Sequence, residues 1–189
     1  LLSQNCVAQH TIVSCGRQSA DPHCTGSGPL HPHQPIIMDI FPRSQKSGYF
    51  GDMSRTVVKG KASPELKKMY KAIQKSQKEA IKMVRSGVQA SSIHKKVCQT
   101  LENSGFKTEV KKGKPQGFMH STGHGLGLEV HELPRVSDNK ERLRKGHVIT
   151  IEPGLYYPKV GGVRLEDVVY VTTKGCERLS HFPQVLEIP

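Results

Sequence analysis

Two apolar segments that end or begin in a carboxylate constrain the fold of this chain more than any other feature. Asp39 ends the apolar run 35–38, and Asp52 begins the next one. The residues between them, among them Pro42 and Gly48, are typical of a turn. A hairpin across this turn brings the carboxylates onto neighbouring strands, where directly opposed Cβ atoms lie about 4.5–5.5 Å apart. Because like charges repel and burial adds to the cost, such a pair needs a proton or a cation.

The same arrangement recurs near the C-terminal end of the sequence. Glu152 ends one apolar run, and Glu166 lies inside another, 14 residues later, against 13 for the aspartates. The matched spacing suggests two related halves that face each other. Taken alone, each acid can instead cap a strand or pair with Arg55 or Arg164. As a matched set, four converging carboxylates predict a divalent metal site.

A glycine-rich stretch, residues 118–132, contains three histidines. His120 and His124 have the spacing of a helical zinc pair, but the glycines among them argue against a helix. Alternating small and apolar residues predict a loop that enters a strand. One imidazole added to four carboxylates gives a ligand set suited to Mn, Co, Fe or Zn. Two such ions can hold a hydroxide and polarise a carbonyl, and the remaining histidines are candidate donors to a substrate.

The remaining pattern predicts an α+β fold with a mostly antiparallel sheet. The predicted strands are 11–15, 35–41, 52–59, 147–151 and 163–172, and the predicted helices are 63–87 and 91–104. Ser63 and Pro64 supply the N-cap and first residue of the first helix, and Gly87 closes it. With 189 residues, 35 % of them apolar, the chain has enough apolar material for one modest core, which argues against disorder.

The net charge of +12 lies entirely between Arg55 and Lys114, where 16 basic residues face 4 acidic ones. Within this segment five lysines recur at helical spacing beside a separate apolar stripe: Lys67, Lys71, Lys75, Lys78 and Lys82. We interpret them as the solvated face of an amphipathic helix. Nucleic acid is not the expected partner, because aromatic residues for base stacking are scarce and no nucleic-acid motif accompanies the lysines.

Cysteine usage indicates a reducing compartment, and hydropathy argues against a membrane protein. The five cysteines are odd in number and none has CxxC spacing, which disfavours a disulfide framework or a zinc knuckle. No apolar run approaches the ~18 residues of a membrane helix, and the first residues show no signal peptide. The sequence therefore predicts a cytoplasmic location and no membrane partner.

Together these motifs resemble the pita-bread dinuclear metallopeptidases, which include Xaa-Pro aminopeptidase, Xaa-Pro dipeptidase (prolidase) and methionine aminopeptidase. The motifs follow the family's order and the resemblance covers nearly all of residues 11–180. They are Asp39 with Gly48-Tyr49-Phe50-Gly51-Asp52-Met53-Ser54-Arg55-Thr56, then 120–132, Ile151-Glu152-Pro153-Gly154 and Arg164-Leu165-Glu166-Asp167. The resemblance implies a curved, mostly antiparallel sheet with helices on its outer face.

The resemblance also implies a role for each site residue and two divalent metal ions, with Mn favoured over Co, Zn or Fe. The metal ligands would be Asp39 for one ion, His124 and Glu152 for the other, and Asp52 and Glu166 as bridges. A hydroxide shared by the ions would attack the scissile carbonyl, and Glu152 would carry the proton to the leaving amine. The catalytic residues would be Glu152, His131, His120, His23 and Arg164, and the substrate-binding residues Tyr156, His120, His131 and Arg164.

The residue two positions before the last glutamate distinguishes the branches of this family. Methionine aminopeptidases usually have Gln there, whereas Arg164 is similar to the Xaa-Pro branch. The expected activity is metal-dependent hydrolysis of N-terminal Xaa-Pro bonds, whose scissile nitrogen carries no N–H. The alternatives are a methionine aminopeptidase-like activity, a metal-free creatinase-like hydrolase, and a non-catalytic module that binds protein or nucleic acid. The complete ligand set disfavours the last two.

Two features depart from the family pattern. Residues 41–47 extend the turn between the two aspartates, and the helices and separate domain that normally precede the first strand are missing. We therefore expect residues 1–189 to form a single, N-terminally truncated metallopeptidase catalytic domain. The resemblance implies peptide substrates with proline at the second position and a homodimer for the full-length protein.

Overall fold

The structure is a computed structural model that describes residues 1–111 and 113–189. Within these residues it has two α-helices, α1 (Pro64–Met83) and α2 (Ala90–Asn103), and neither precedes the first strands. The strands are β1 (Cys6–Ala8), β2 (Ile12–Cys15), β3 (Ile36–Ile40), β4 (Pro42–Ser44), β5 (Met53–Lys59), β6 (Glu109–Lys111), β7 (Lys114–Gln116), β8 (Gly123–Gly125), β9 (Glu132–Val136), β10 (Val148–Ile151), β11 (Gly154–Tyr157), β12 (Gly161–Arg164), β13 (Asp167–Val171), β14 (Cys176–Arg178) and β15 (Glu187–Ile188).

Two larger sheets organise these strands. One has the order β15-β5-β3-β2 and the other the order β14-β13-β10-β8-β9. Every pair in them is antiparallel except β15 beside β5. The ribbons β1–β4, β6–β7 and β11–β12 complete the described strands. The predicted α+β class with mostly antiparallel pairing is confirmed.

The first helix begins as predicted and ends earlier. The hydroxyl of Ser63 accepts a hydrogen bond from the N–H of Leu66 at 3.2 Å, and Pro64 occupies the first turn. The helix ends at Met83 rather than near residue 87. Gly87 lies in the following turn with φ of 87°, a conformation that favours glycine. The second helix differs from its predicted bounds by one residue at each end.

One apolar cluster joins both helices to the second sheet. Ile73 of α1, Val97 of α2 and Ile149 of β10 are fully buried within it. Burying each such side chain contributes roughly 1.5–3 kcal/mol. The opposite face of α1 carries the predicted lysines, of which four are exposed and Lys67 is half-exposed and pairs with Glu187 at 2.8 Å. Neither of the helices that the structure describes is long and apolar enough to span a membrane.

The prediction of one strand over residues 163–172 is wrong. The chain forms β12, leaves it at Leu165 and Glu166, and then forms β13. β12 pairs with β11, whereas β13 pairs with β10. The chain therefore passes from one sheet to another at Leu165 and Glu166. The change of sheet places Glu166 where the two halves meet, and its N–H donates to the carbonyl of Ser54 at 3.1 Å.

Candidate metal centre

The two aspartates are brought together by the hairpin of β3 and β5. In its register Asp39 lies opposite Ser54, and Asp52 lies two residues before Ser54. The aspartates are therefore diagonal neighbours on one face of the sheet rather than directly opposed.

The two glutamates meet at the end of the second ladder. Ile151 of β10 pairs with Asp167 of β13, so Glu152 and Glu166 are the next residues beyond that last pair. The backbone bond from Glu166 to Ser54 then joins the glutamate pair to the aspartate hairpin. Both acidic hairpins therefore contribute to one site.

The nominated ligands line a single cavity of about 690 Å³. Asp52, His124 and Glu166 form one group in it, with ligand atoms within 4.8 Å of one another. The Nε2 of His124 lies 3.4 Å from Oε1 of Glu152 and 3.7 Å from Oδ2 of Asp52. Asp39 lines the same cavity but is engaged differently.

Asp39 is held by a guanidinium. Its Oδ2 accepts a hydrogen bond from Nη2 of Arg164 at 2.7 Å. Its Oδ1 is buried and has no hydrogen-bond partner among the described residues. A buried carboxylate oxygen without a hydrogen-bond partner is energetically costly. Coordination of a cation by this oxygen would remove that cost.

Burial and mutual repulsion shift the pKa values of the other three acids upwards. Burial, followed by repulsion from Asp39 and Glu152, raises the pKa of Asp52 to about 8. Burial raises the pKa of Glu152 to about 7. Burial, followed by repulsion from Asp52, raises the pKa of Glu166 well above its usual range. These acids resist ionising together at neutral pH, so the donor set fits divalent cations, which favour the charged form of each.

The imidazole of His124 is suited to the same purpose. Burial lowers its pKa to about 4, so the ring is neutral at pH 7. Its Nδ1 lies 3.0 Å from the carbonyl oxygen of Gly125, which assigns the proton to Nδ1 because a carbonyl only accepts. The Nε2 lone pair therefore faces the carboxyl groups of Asp52 and Glu152, an arrangement that is repulsive until a proton or a cation lies between them.

His120 lines the cavity, yet both of its ring nitrogens are engaged. Its Nδ1 lies 2.8 Å from the carbonyl oxygen of Ser121, and its Nε2 lies 2.9 Å from the hydroxyl of Tyr156. That hydroxyl also accepts from Nη1 of Arg164 at 2.9 Å. A direct donation from His120 to a substrate therefore requires release of one of these bonds.

The remaining nominated residues differ in their access to the cavity. His23, His131 and Arg164 line it, and the first two are exposed. Tyr156 is fully buried and is not among the residues that line the cavity. The hydroxyl of Tyr156 instead contacts Arg164 and His120, and its expected contact with substrate stays a prediction.

Ser54 and His94 are among the residues of the site that were not predicted from the sequence. The hydroxyl of Ser54 donates to Oε2 of Glu166 at 2.9 Å and accepts from Nε of Arg164 at 2.8 Å. The period-two alternation of a strand indicates that Ser54 shares a face with Asp52, so this residue was accessible to sequence reasoning. His94 of α2 also lines the cavity, but no local motif marks it, because only tertiary packing brings α2 there.

A mixed α+β fold with a buried group of carboxylates and a neutral imidazole is typical of metal-dependent hydrolases. The chain matches the metallopeptidase family M24 over residues 2–173 and belongs to that family. The Xaa-Pro dipeptidase of Pyrococcus horikoshii is 38 % identical over 172 residues, which cover 90 % of this chain and 46 % of that protein.

Solved structures show the same relationship. The prolidase from Pyrococcus horikoshii OT3 has a TM-score of 0.85 and 37 % identity, covering 94 % of this chain and 49 % of that one. The dipeptidase PepE from Mycobacterium ulcerans has a TM-score of 0.87 and 33 % identity, covering 97 % and 48 %. The chain spans about half the length of the curated relatives it matches. These findings confirm the resemblance to the Xaa-Pro branch and the pita-bread fold.

Proposed function

We propose that the protein containing this chain is a metal-dependent peptidase that hydrolyses the Xaa-Pro bond at the amino end of peptides. The observation that carries the proposal is the convergence of four carboxylates and one neutral imidazole in one cavity. The Xaa-Pro specificity is supported by Arg164 and by the names of the relatives, which include an Xaa-Pro dipeptidase and a prolidase. A cytoplasmic location and a homodimer of the full-length protein stay predictions.

Five residues would hold two divalent cations, for which we propose Mn²⁺. The residues that would hold them are Asp39, Asp52, His124, Glu152 and Glu166. Cations held in this way lower the pKa of a water towards ~7 and polarise a scissile carbonyl. The unpartnered Oδ1 of Asp39 and the Nε2 lone pair of His124 support this assignment, because both atoms lack a donor among the described residues.

Within this site the protein's own groups would handle the proton and orient the substrate. We assign to Glu152 the acceptance of the proton from the attacking water and its delivery to the leaving nitrogen. Its side chain is 15 % exposed, against 6 % for Asp52, so it is more open to the cavity. His131 and His23 are exposed at the cavity and are the proposed donors to the oxygen that becomes negative during attack. His120 would join them only after its bond to Tyr156 opens.

The test uses the complete gene product loaded with Mn²⁺ or Co²⁺. It is offered Ala-Pro, Ala-Pro-Leu and Met-Ala-Leu, and we expect cleavage of the prolyl peptides alone. Preferential cleavage of Met-Ala-Leu would support the methionine aminopeptidase alternative. Undiminished activity after exhaustive chelation would refute the metal-dependent mechanism.

A matched pair of variants makes the test specific to the cavity. Glu166→Gln should abolish turnover and retain less metal, as measured by elemental analysis after gel filtration. Glu177→Gln changes an exposed acid on β14 and should alter neither property. Equal metal content in the two variants would contradict the assignment of Glu166 as a ligand.

A further inference from the structure

A second cavity, of about 490 Å³, adjoins the metal-site cavity. The two share three lining residues, His10, Phe41 and Val130. Val130 directly precedes His131, and Phe41 follows Asp39 by two residues, so the second cavity begins next to the residues proposed to act on substrate.

The extended turn between the aspartates builds the wall of this second cavity. β4, which belongs to that turn, pairs with β1, with Arg43 opposite Val7. The backbone of Arg43 also forms an isolated antiparallel β-bridge with the backbone of Phe50. The N–H of Phe50 donates to the carbonyl of Gly127 at 2.9 Å. The turn is therefore fixed to the histidine-rich stretch. It supplies none of the proposed metal ligands.

The two cavities differ in charge. The first contains the four carboxylates beside Arg135 and Arg164, whereas Arg43 is the only Asp, Glu, Lys or Arg side chain among the described residues that line the second. Nε of Arg43 donates to the carbonyl of Gly48 at 3.0 Å, and its guanidinium carbon lies 5.7 Å from the centre of the Phe50 ring. Within residues 1–111 and 113–189, no hydrogen bond engages its two terminal nitrogens. The guanidinium therefore has donors to offer to a carboxylate.

This difference orients a peptide along the two cavities. A peptide cleaved at its first bond has its ammonium group beside that bond and its carboxylate at the far end. Arg43 would repel the ammonium and attract the carboxylate, so the carboxyl end belongs in the second cavity. Since each residue extends a peptide by at most about 3.3–3.6 Å, the third residue is the first to lie well beyond the scissile bond.

We propose, building on the function proposed above, that the second cavity is the subsite for the third residue of an Xaa-Pro-Yaa tripeptide. Arg43 binds the free terminal carboxylate of Yaa. The apolar side chains of Val7, Phe41 and Phe50 contact its side chain, which is aliphatic or aromatic. Arg43 is thus a specificity-determining residue that sets the preferred length of the substrate.

The experiment measures kcat/KM of the Mn²⁺-loaded complete gene product for Ala-Pro-Leu, its C-terminal amide Ala-Pro-Leu-NH₂, and Ala-Pro. The natural protein should prefer the free acid over the amide by about 10- to 100-fold, because the amide leaves the guanidinium without its charged partner. Arg43→Gln should remove that preference and leave Ala-Pro cleavage unchanged. Arg43→Lys should keep part of it, because an ammonium provides the charge without the planar fork. Lys46→Gln, a basic residue of the same turn outside both cavities, should change nothing.

The outcomes separate the two proposals. Cleavage of prolyl peptides with no preference for the free acid, or with equal losses on all three substrates in Arg43→Gln, overturns the subsite and leaves the proposed function standing. Failure of the natural protein to cleave any prolyl peptide overturns the proposed function and the subsite with it.

Discussion

Replacing Asp52 with asparagine is expected to stabilise the metal-free protein and to abolish most of its response to metal. The side chain of Asp52 is 6 % exposed, and burial, followed by repulsion from Asp39 and Glu152, raises its pKa from 3.8 to about 8. A carboxyl whose pKa is higher in the folded state binds its proton more tightly there. Stability is therefore full below pH 4 and is lost as the pH rises towards 8. Asparagine has the same shape, keeps an oxygen for the N–H of Met53, and does not ionise.

The magnitude follows from the shift. At pH 7 the protein is about three pH units above the unfolded-state pKa of Asp52, which at 1.36 kcal/mol per unit amounts to about 4 kcal/mol. The neighbouring acids share the same repulsion, so we expect asparagine to recover about 2–4 kcal/mol at pH 7 and less than about 1 kcal/mol at pH 4.5. For a domain of this size the gain at pH 7 corresponds to a rise in Tm of about 4–16 °C.

The assay is thermal unfolding of the complete gene product after exhaustive chelation, at pH 4.5 and pH 7. Asp138→Asn is the matched control, because that side chain is 67 % exposed and makes only a surface ion pair. Added Mn²⁺ should raise the Tm of the natural protein and of the control far more than that of Asp52→Asn. A lower Tm for metal-free Asp52→Asn at pH 7, or an equal gain at both pH values, would refute the reasoning.

Three further perturbations address separate parts of the structure. His131→Ala should keep the metal content measured by elemental analysis and lower kcat by about 10²–10³-fold, because a donor to the transition state is lost; loss of metal would contradict this. Arg55→Ala should lower the free energy of unfolding in urea by about 3–5 kcal/mol, since it leaves the fully buried Asp167 without its 2.7 Å partner; a change below 1 kcal/mol, in the order of a surface pair, would contradict it. Replacing Lys75 and Lys78 with glutamine should leave peptidase activity unchanged, because both side chains lie on the exposed face of α1. The retardation of nucleic acid in gels should also be unchanged. Tight, salt-sensitive binding to unrelated DNA that the substitutions remove would contradict the interpretation of this face as merely solvated.

The sequence predicted correctly those elements that local residue patterns determine. The cap of Ser63, the two helices and the aspartate hairpin all follow from periodicity and turn residues. It did not give the register of that hairpin. The pattern shows which residues form a strand, but the turn between strands decides which residues face one another. Asp39 consequently faces Ser54 and not Asp52.

The missed break between β12 and β13 has a related cause. Six of the nine residues in the run 163–171 are apolar, and both strands are buried. Apolarity alone does not indicate which neighbour a strand pairs with. The acids Glu166 and Asp167 within that run were the available signal. Charged residues inside a buried run are tolerated only with partners, so their presence indicates a junction or a site.

The competing interpretation of the acids, that each pairs with a nearby arginine, holds for one of the four. Arg164, from the glutamate half, binds Asp39 of the aspartate half at 2.7 Å. Arg55, from the aspartate half, crosses in the other direction, but it binds Asp167 and the backbone carbonyl of Glu166 rather than a nominated ligand. These two arginines connect the halves and offset part of the repulsion at their junction.

The arginines leave the other acids uncompensated. Among the described residues, no arginine or lysine forms a salt bridge with Asp52, Glu152 or Glu166. The basic side chain that lies beside Asp52 and Glu152 is His124, and its ring is neutral. A fold stabilised only by its ion pairs would place its buried cations beside these acids. Arg55 and Arg164 instead hold the periphery of the cluster and leave its centre free of protein cations, which is the arrangement that binding of divalent metal requires.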